Sequence, residues 1–345
     1  MEHRPLGDGG VQVSVLGLGT MMLGAWGNRD HADCERIVHA ALDAGVTLVD
    51  TADVYAEGES ERIVGAALRG RRDAVVLATK VHGPMGDDPG RRGSSRRWIM
   101  QACEESLRRL GTDRIDLYQL HQRDPDTDLD ETLGALTDLV GQGKVLAAGV
   151  SNFQAEEIVE ALWAADRRGL VRIRSDQPPY SILVRSAEAA VLPTCRRHGL
   201  GVIAYSPLNG GWLTGRVRRD RPLEHTGRTD HYPEKFDPAL PQNARKLDCV
   251  EALSRLAGAA GLSLLQLALG FVVAHPAVSS VLMGPRTLEQ LTGQLAAAEV
   301  RLDDDTLAGI DGVVPPGTVI DLPDSGVRAA PAEVAWHERL LARVM

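Results

Sequence analysis

At 345 residues the chain has the length of two average domains or of one large barrel, so a small single-motif module is excluded. Apolar residues at 43% and charged residues at 25% are the balance of a globular protein with a sizeable core, and a net charge of −9 argues against nucleic acid or an anionic membrane surface as partner. The opening MEHRPLGDGG carries charge and glycine where a secretory leader needs an apolar run, and the longest apolar stretch, residues 262–278, is broken by polar residues and Pro276, so a cytoplasmic chain without a membrane span is expected.

In chain order, an apolar β-rich run at residues 13–19 is followed by a helix-period stretch at 33–44, a second run at 46–50 and a stretch at 60–69. Runs at 74–80, 114–121, 144–151, 171–177, 201–206 and 278–284 continue the pattern, with amphipathic stretches at 98–110, 130–141, 154–165 and 187–198. Strict alternation implies parallel strands joined by crossover helices, because a parallel neighbour cannot be reached by a tight turn. Eight such units in about 300 residues predict an α/β fold, a closed (β/α)8 TIM barrel, with an open doubly wound sheet as the alternative. No Ser/Gly-rich linker divides the chain, so residues 1–345 are expected to form one domain. Three segments break the repeat: a Gly/Pro/Arg-rich loop at 82–97 after the third run, a loop at 207–244 after the seventh with five of the 18 prolines, and a tail at 315–345 with a last helix near 332–344. Two of them follow strand C-termini, the face on which barrel sites are built, so binding loops are expected there. Cys34, Cys103, Cys195 and Cys249 form no CxxC or CxH pair and fit free thiols.

The polar residues that end the runs carry the chemistry. The second run ends in Asp50, with Asp53 and Tyr55 just beyond; the third in Lys80; the fourth in His121; the fifth in Ser151 and Asn152; the sixth in Gln177; the seventh in Tyr205 and Ser206. Successive separations of 30, 41, 30, 26 and 28 residues from Asp50 through Lys80, His121, Ser151 and Gln177 to Tyr205 are each about one βα unit, so a barrel gathers them on one rim. Singly, each has an ordinary explanation, such as a helix N-cap for Ser151 and Asn152. Together an Asp, a Tyr, a Lys and a His form a proton-transfer set. A Lys ammonium about 4 Å from a phenol favours the phenolate by roughly 4 kcal/mol at an effective dielectric of about 20, which is expected to acidify Tyr55. Asp50 would hold Lys80 charged, and His121 would position a substrate oxygen. Such a set protonates an alkoxide as it forms, the need of a carbonyl reduced by a hydride that only a cofactor can supply.

The glycines of GLGTMMLG satisfy two-thirds of a dinucleotide fingerprint, but Met22 stands at the third position and no helix opens there. No HxH or HExxH occurs, so a metal-dependent hydrolase and a bound metal are not expected. Trp26 after the first strand, and Trp212 and Tyr232 after the seventh, are candidates for a substrate wall, while His82 with Arg91, Arg92, Arg96 and Arg97 could attract an anionic substrate. Thr287 followed three residues on by Gln290 reads as a helix cap beside Arg286, a combination that suits a phosphate.

In order, GLGTM, VDTADVY, LATK, QLHQ, GVSNF, QPPYS, AYSPL and MGPRTLEQL resemble the aldo-keto reductase superfamily from Arg4 to about Ile310. The resemblance implies a catalytic tetrad of Asp50, Tyr55, Lys80 and His121, with Tyr55 as general acid and base. It implies that Ser151, Asn152 and Gln177 hold a nicotinamide carboxamide, that Tyr205 stacks on the ring, and that Ser206, Leu208 and Gly210 follow the pyrophosphate. At the adenosine end it gives Gly284, Arg286, Thr287, Gln290 and Gln294, and Arg286 points to NADP(H) over NAD(H). The chain departs from the pattern at Gln290, often a basic residue, and at Gln294, often Asn. The opening RPLGDGGVQVS looks like a hairpin across the barrel floor. The expected partner is a small carbonyl compound, possible sugars included, with oligomeric state left open. An NADPH-binding regulatory barrel, or a sugar-nucleotide or enoyl reductase on this fold, is the alternative.

Overall fold

The computed structural model describes residues 1–220 and 233–326. Tyr232 and the helix expected near residues 332–344 lie outside the described residues. The first apolar run divides in two. Gln12–Ser14 (β2) pairs antiparallel with His3–Pro5 (β1), Arg4 opposite Val13, and only Leu16–Gly19 (β3) enters the main sheet. The division follows from burial: Leu6 and Val13 pack inside the barrel against Leu48, Ala78, Leu117, Ile203 and Leu282, so the hairpin plugs the floor instead of lengthening the wall. Leu6 is 3% exposed. Leu6→Ala is expected to lower the unfolding free energy by about 2–5 kcal/mol in a urea titration, with the loop-borne face at the other end undisturbed.

The wall is a closed eight-stranded parallel barrel. Leu48–Asp50 (β4), Val76–Val81 (β5), Ile115–Leu120 (β6), Val145–Ser151 (β7), Ile173–Gln177 (β8), Gly201–Ala204 (β9) and Val278–Met283 (β10) follow β3 in order, and β10 returns to pair with it. The helices alternate as expected: His31–Asp43 (α1), Glu59–Ala67 (α2), Arg96–Leu110 (α3), Leu129–Gly141 (α4), Ala155–Arg168 (α5) and Val191–Arg197 (α6), then Pro241–Ala259 (α7), Leu264–Ala274 (α8), Leu288–Leu295 (α9) and Asp304–Val313 (α10). Side-chain caps fix where several begin, since the first helical N–H groups need acceptors. Asp30, Ser95, Asp128, Thr287 and Asp303 each accept a backbone N–H of the helix they precede. Each buried stripe faces the wall, as with Cys34, Ile37, Val38 and Ala41 of α1 at helical spacing. The sixth unit departs from a continuous helix over 187–198: Ala190, at φ −143°, separates the turn Ser186–Glu188 from α6.

All four cysteines are buried and unbridged. Burial pushes the Cys34 thiol up to about 11 and that of Cys103 up to about 12, which removes them as nucleophiles at neutral pH. Among the described residues no single helix is long and apolar enough to cross a membrane, and no group of three or more His, Cys, Asp or Glu is placed to hold a metal ion.

Candidate active site

The wall strands run parallel, so their C-termini share one rim, and the residues that end them meet there. Lys80, in β5, is wholly buried and points its ammonium at the Asp50 carboxylate that ends β4. The same Nζ donates to Thr51 O at 2.8 Å and to the Tyr55 hydroxyl at 3.2 Å. The second carboxylate oxygen of Asp50 accepts from Gln119 Nε2 at 3.1 Å and Gln177 Nε2 at 2.9 Å, so the anion is held from three strands. Gln119 went unmarked in the sequence, yet it lies two residues before His121 and so shares its face of the strand. The His121 ring meets the Tyr55 ring edge-on, centroids 5.8 Å apart at 78°. The four side chains of the expected tetrad are therefore together.

The electrostatics correct the sequence-based expectation. Burial pushes the Tyr55 phenol above its ordinary value, and the Lys80 ammonium, pulling the other way, does not win. Burial pulls Lys80 down, but Asp50 and Tyr55 outweigh it and hold the ammonium above the usual lysine range. Desolvation disfavours a phenolate in a low-dielectric pocket and offsets the Coulomb attraction of the ammonium. The pair at neutral pH is a neutral phenol beside a charged ammonium. Asp53 stands apart from the set: its buried carboxyl accepts from Val54 N at 2.8 Å and does not line the cavity, and burial, with Glu61 next, raises it well above the carboxylate range.

Asp50, Tyr55 and His121 open on a cavity of about 650 Å³ that runs along the rim to α9, within the roughly 300–1,000 Å³ typical of ligand and cofactor sites. Ser151, Asn152, Gln177, Tyr205, Ser206, Leu208 and Gly210 line it, as do Gly284, Arg286, Gln290 and Gln294. Ser151 Oγ donates to Gln177 O at 2.8 Å; Asn152 Nδ2 donates to His121 O at 3.0 Å, and Asn152 Oδ1 accepts from the Tyr205 hydroxyl at 2.8 Å. Thr287 is the exception. It is exposed, caps α9 by accepting from Gln290 N at 3.2 Å and does not line the cavity, so its place is explained by capping. Gln290 Oε1 reaches back to Arg286 N at 2.9 Å.

Several residues around Tyr55 and the cavity hold left-handed backbone although they are not glycine: Ala56, Glu57, Asn152, Ser206 and Asn209, at φ 47, 55, 60, 54 and 46°. For Ala56, Glu57 and Ser206 this costs on the order of 1–3 kcal/mol each, less for the two asparagines, and the positions gather at one rim of the barrel. Gly210 and Gly211, at φ 69 and 116°, complete the bend after β9, and Ser206 is why that strand stops at Ala204.

The substrate-wall candidates separate. Trp26 is 50% exposed and its ring lies 6.1 Å from that of Tyr55, but it does not line the cavity. Trp212 is buried and stacked on Phe236, its indole N–H directed at Lys235 O, so it is a packed wall of the rim cavity and not an open stacking face. His82 contacts Gln122 at 2.6 Å and does not line the cavity. Arg91 and Arg96 are neutralised by Glu105 and Asp138, which weakens the loop as an anion trap. Arg216, not singled out in the sequence because its loop is charged without periodicity, lines the cavity with Arg286. The Arg286 guanidinium is held below its ordinary value, first by burial and then by Arg216. Neither forms a salt bridge among the described residues. Among the described residues, Gln294 Oε1 and Asn209 Oδ1, buried on the cavity, also lack a hydrogen-bond partner.

The model of the Aldo/keto reductase family matches residues 15–315. Among curated relatives, the "Uncharacterized oxidoreductase YrpG" of Bacillus subtilis is 38% identical, covering 91% of this chain and 96% of its own length. The "Aldo-keto reductase YhdN" of the same organism is 35% identical over 89% and 93%, and a "Probable voltage-gated potassium channel subunit beta" of Arabidopsis thaliana is 33% identical over 87% and 92%.

Proposed function

The chain belongs to the aldo/keto reductase family, and on that premise we propose that it is an NADP(H)-dependent oxidoreductase that interconverts an aldehyde or ketone, sugars included, and its alcohol, with Tyr55 as general acid and base. The observation that carries this is the 3.2 Å contact from the buried Lys80 ammonium to the Tyr55 hydroxyl at the end of a cofactor-sized cavity. A carbonyl oxygen placed between Tyr55 and His121 accepts the phenol proton as negative charge grows on it. The ammonium beside the phenol, itself fixed by Asp50, stabilises the phenolate left behind, and the reverse reaction uses that phenolate as base. Ser151, Asn152, Gln177 and Tyr205 would hold a nicotinamide, which would supply the hydride that no side chain can.

The cavity suits such a cofactor. Two guanidiniums with no carboxylate partner among the described residues stand beside the capped N-terminus of α9, a combination that favours a phosphate, and the Gln294 and Asn209 oxygens, unpartnered among those residues, offer acceptors along the groove. Arg286 with Arg216 supports NADP(H) over NAD(H). Arg286→Ala is expected to weaken NADP⁺ about 10- to 100-fold in a fluorescence titration and NAD⁺ by less than about threefold, the loss of one charge-assisted contact. Equal losses would remove the 2′-phosphate assignment.

The function is tested by following NADPH absorbance in both directions against a panel of aldehydes, ketones and sugars. Turnover of members of the panel is the expected result. Binding of NADPH with no turnover would favour a second reading, a regulatory barrel, for which the potassium-channel-subunit relative is the specific support.

A further inference from the structure

We propose that residues 318–326 form a strap across the cofactor groove and that Lys246 is its lock, so that breaking the lock sets how fast the cofactor leaves; this rests on the NADP(H) reading above. One edge of the strap is fastened to the segment after β8: Val319 bridges Val184, Arg185 N donates to Thr318 O at 2.8 Å, and Ile320 N donates to Leu183 O at 3.1 Å. Beyond it the chain makes a short turn, Leu322–Ser325, and Pro323, Asp324 and Gly326 line the groove. There Lys246 of α7, 1% exposed, directs its ammonium at Asp321 Oδ2, 2.7 Å, and Asp324 Oδ2, 2.5 Å. Asn209, on the bend after β9, adds a bond from Nδ2 to Asp324 Oδ2 at 3.1 Å. Lys246, Asn209 and Asp324 all line the cavity, so the lock sits on the groove itself.

The far end of the strap lies on the ring subsite. Gly326 has φ 72°, and a Cβ there would stand 2.5 Å from Asn152 Oδ1 and 3.1 Å from the Tyr205 hydroxyl. Its backbone therefore rests against the two side chains proposed to meet the nicotinamide. The lock is not a phosphate grip, because the ammonium is already taken up by two carboxylates. It is a clip between the chain's C-terminal segment and α7. A lysine this buried is stable only while its carboxylates stay in place, so opening is an all-or-none step of the kind that gates release.

The test is stopped-flow release of NADPH from the full chain, displaced by excess NADP⁺, in three variants. Asp321→Asn/Asp324→Asn and Lys246→Met each remove the ion cluster, and the first keeps the shape of the strap if the second fails to fold. Gly326→Ala lifts the strap by the added Cβ without touching Lys246. Release is expected to accelerate about tenfold or more in all of them, the loss of a buried charge-assisted cluster. Unchanged or slower release in the double Asn variant, with tight NADPH binding by the wild type, overturns the strap and leaves the cofactor reading intact. Acceleration in Gly326→Ala alone overturns Lys246 as the lock. A wild type that binds no NADPH overturns both readings.

Discussion

Tyr55→Phe is expected to lower kcat for carbonyl reduction by about 10²–10⁴-fold while NADPH affinity changes by less than about threefold. The substitution removes one oxygen and one proton. Phe keeps the ring, hence the edge-on contact with His121 and the tilted contact with Trp26. The proton donor disappears, and an alkoxide forming at the mouth has only His121 and water to turn to. Because the hydroxyl is needed only as charge develops on the carbonyl oxygen, the loss falls on kcat and not on binding of the cofactor. Steady-state kinetics with a fluorescence titration of NADPH decide it: unchanged turnover removes Tyr55 as the acid.

Lys80→Met carries the second large effect, on activity and on stability together. Lys80 is fully buried against Asp50, and removing one partner of a buried ion pair costs about 3–5 kcal/mol. The amides of Gln119 and Gln177 stay on the carboxylate and place the loss toward the lower end. Lys80→Met/Asp50→Asn is expected to recover much of the unfolding free energy and none of the turnover, because it removes the orphaned charge without restoring the ammonium beside the phenol. The pH dependence has a definite sign. Lys80 and Tyr55 are both raised in the folded chain. Their contributions to stability are fully present below the unfolded values, about 10.4 and 10, and are lost as pH rises through the folded ones. The wild type should therefore weaken on the alkaline side, and Lys80→Met should show less of that slope in denaturant titrations taken at several pH values.

The barrel and the tetrad are legible because six successive apolar runs, the second to the seventh, end in polar residues at βα spacing, a pattern that has meaning only if parallel strands bring those ends together. The floor hairpin is legible in the opening RPLGDGGVQVS, and β1 and β2 form it; only the extension of the first apolar run back to Val13 fails, because the run does not show that Val13 turns into the barrel interior. Charge on Tyr55 was misjudged for a related reason: the Lys–Tyr attraction can be estimated from residue types, but the opposing desolvation depends on how deeply the pair is enclosed. Arg216 and Lys246 act through contacts that close long sequence separations, Lys246 with Asp324 across 78 residues, and no local periodicity announces them; Gln119 is announced only by its two-residue spacing from His121. Thr287 shows the converse, a residue matched by motif whose placement is explained by the cap it makes.

The central claim is that a neutral phenol, kept next to a charged amine, is the proton donor. An ultraviolet difference titration of the wild type against Tyr55→Phe measures that phenol alone. The account predicts that the one tyrosine missing from the variant ionises only above the ordinary tyrosine value of about 10. A Tyr55 already ionised at neutral pH would contradict it.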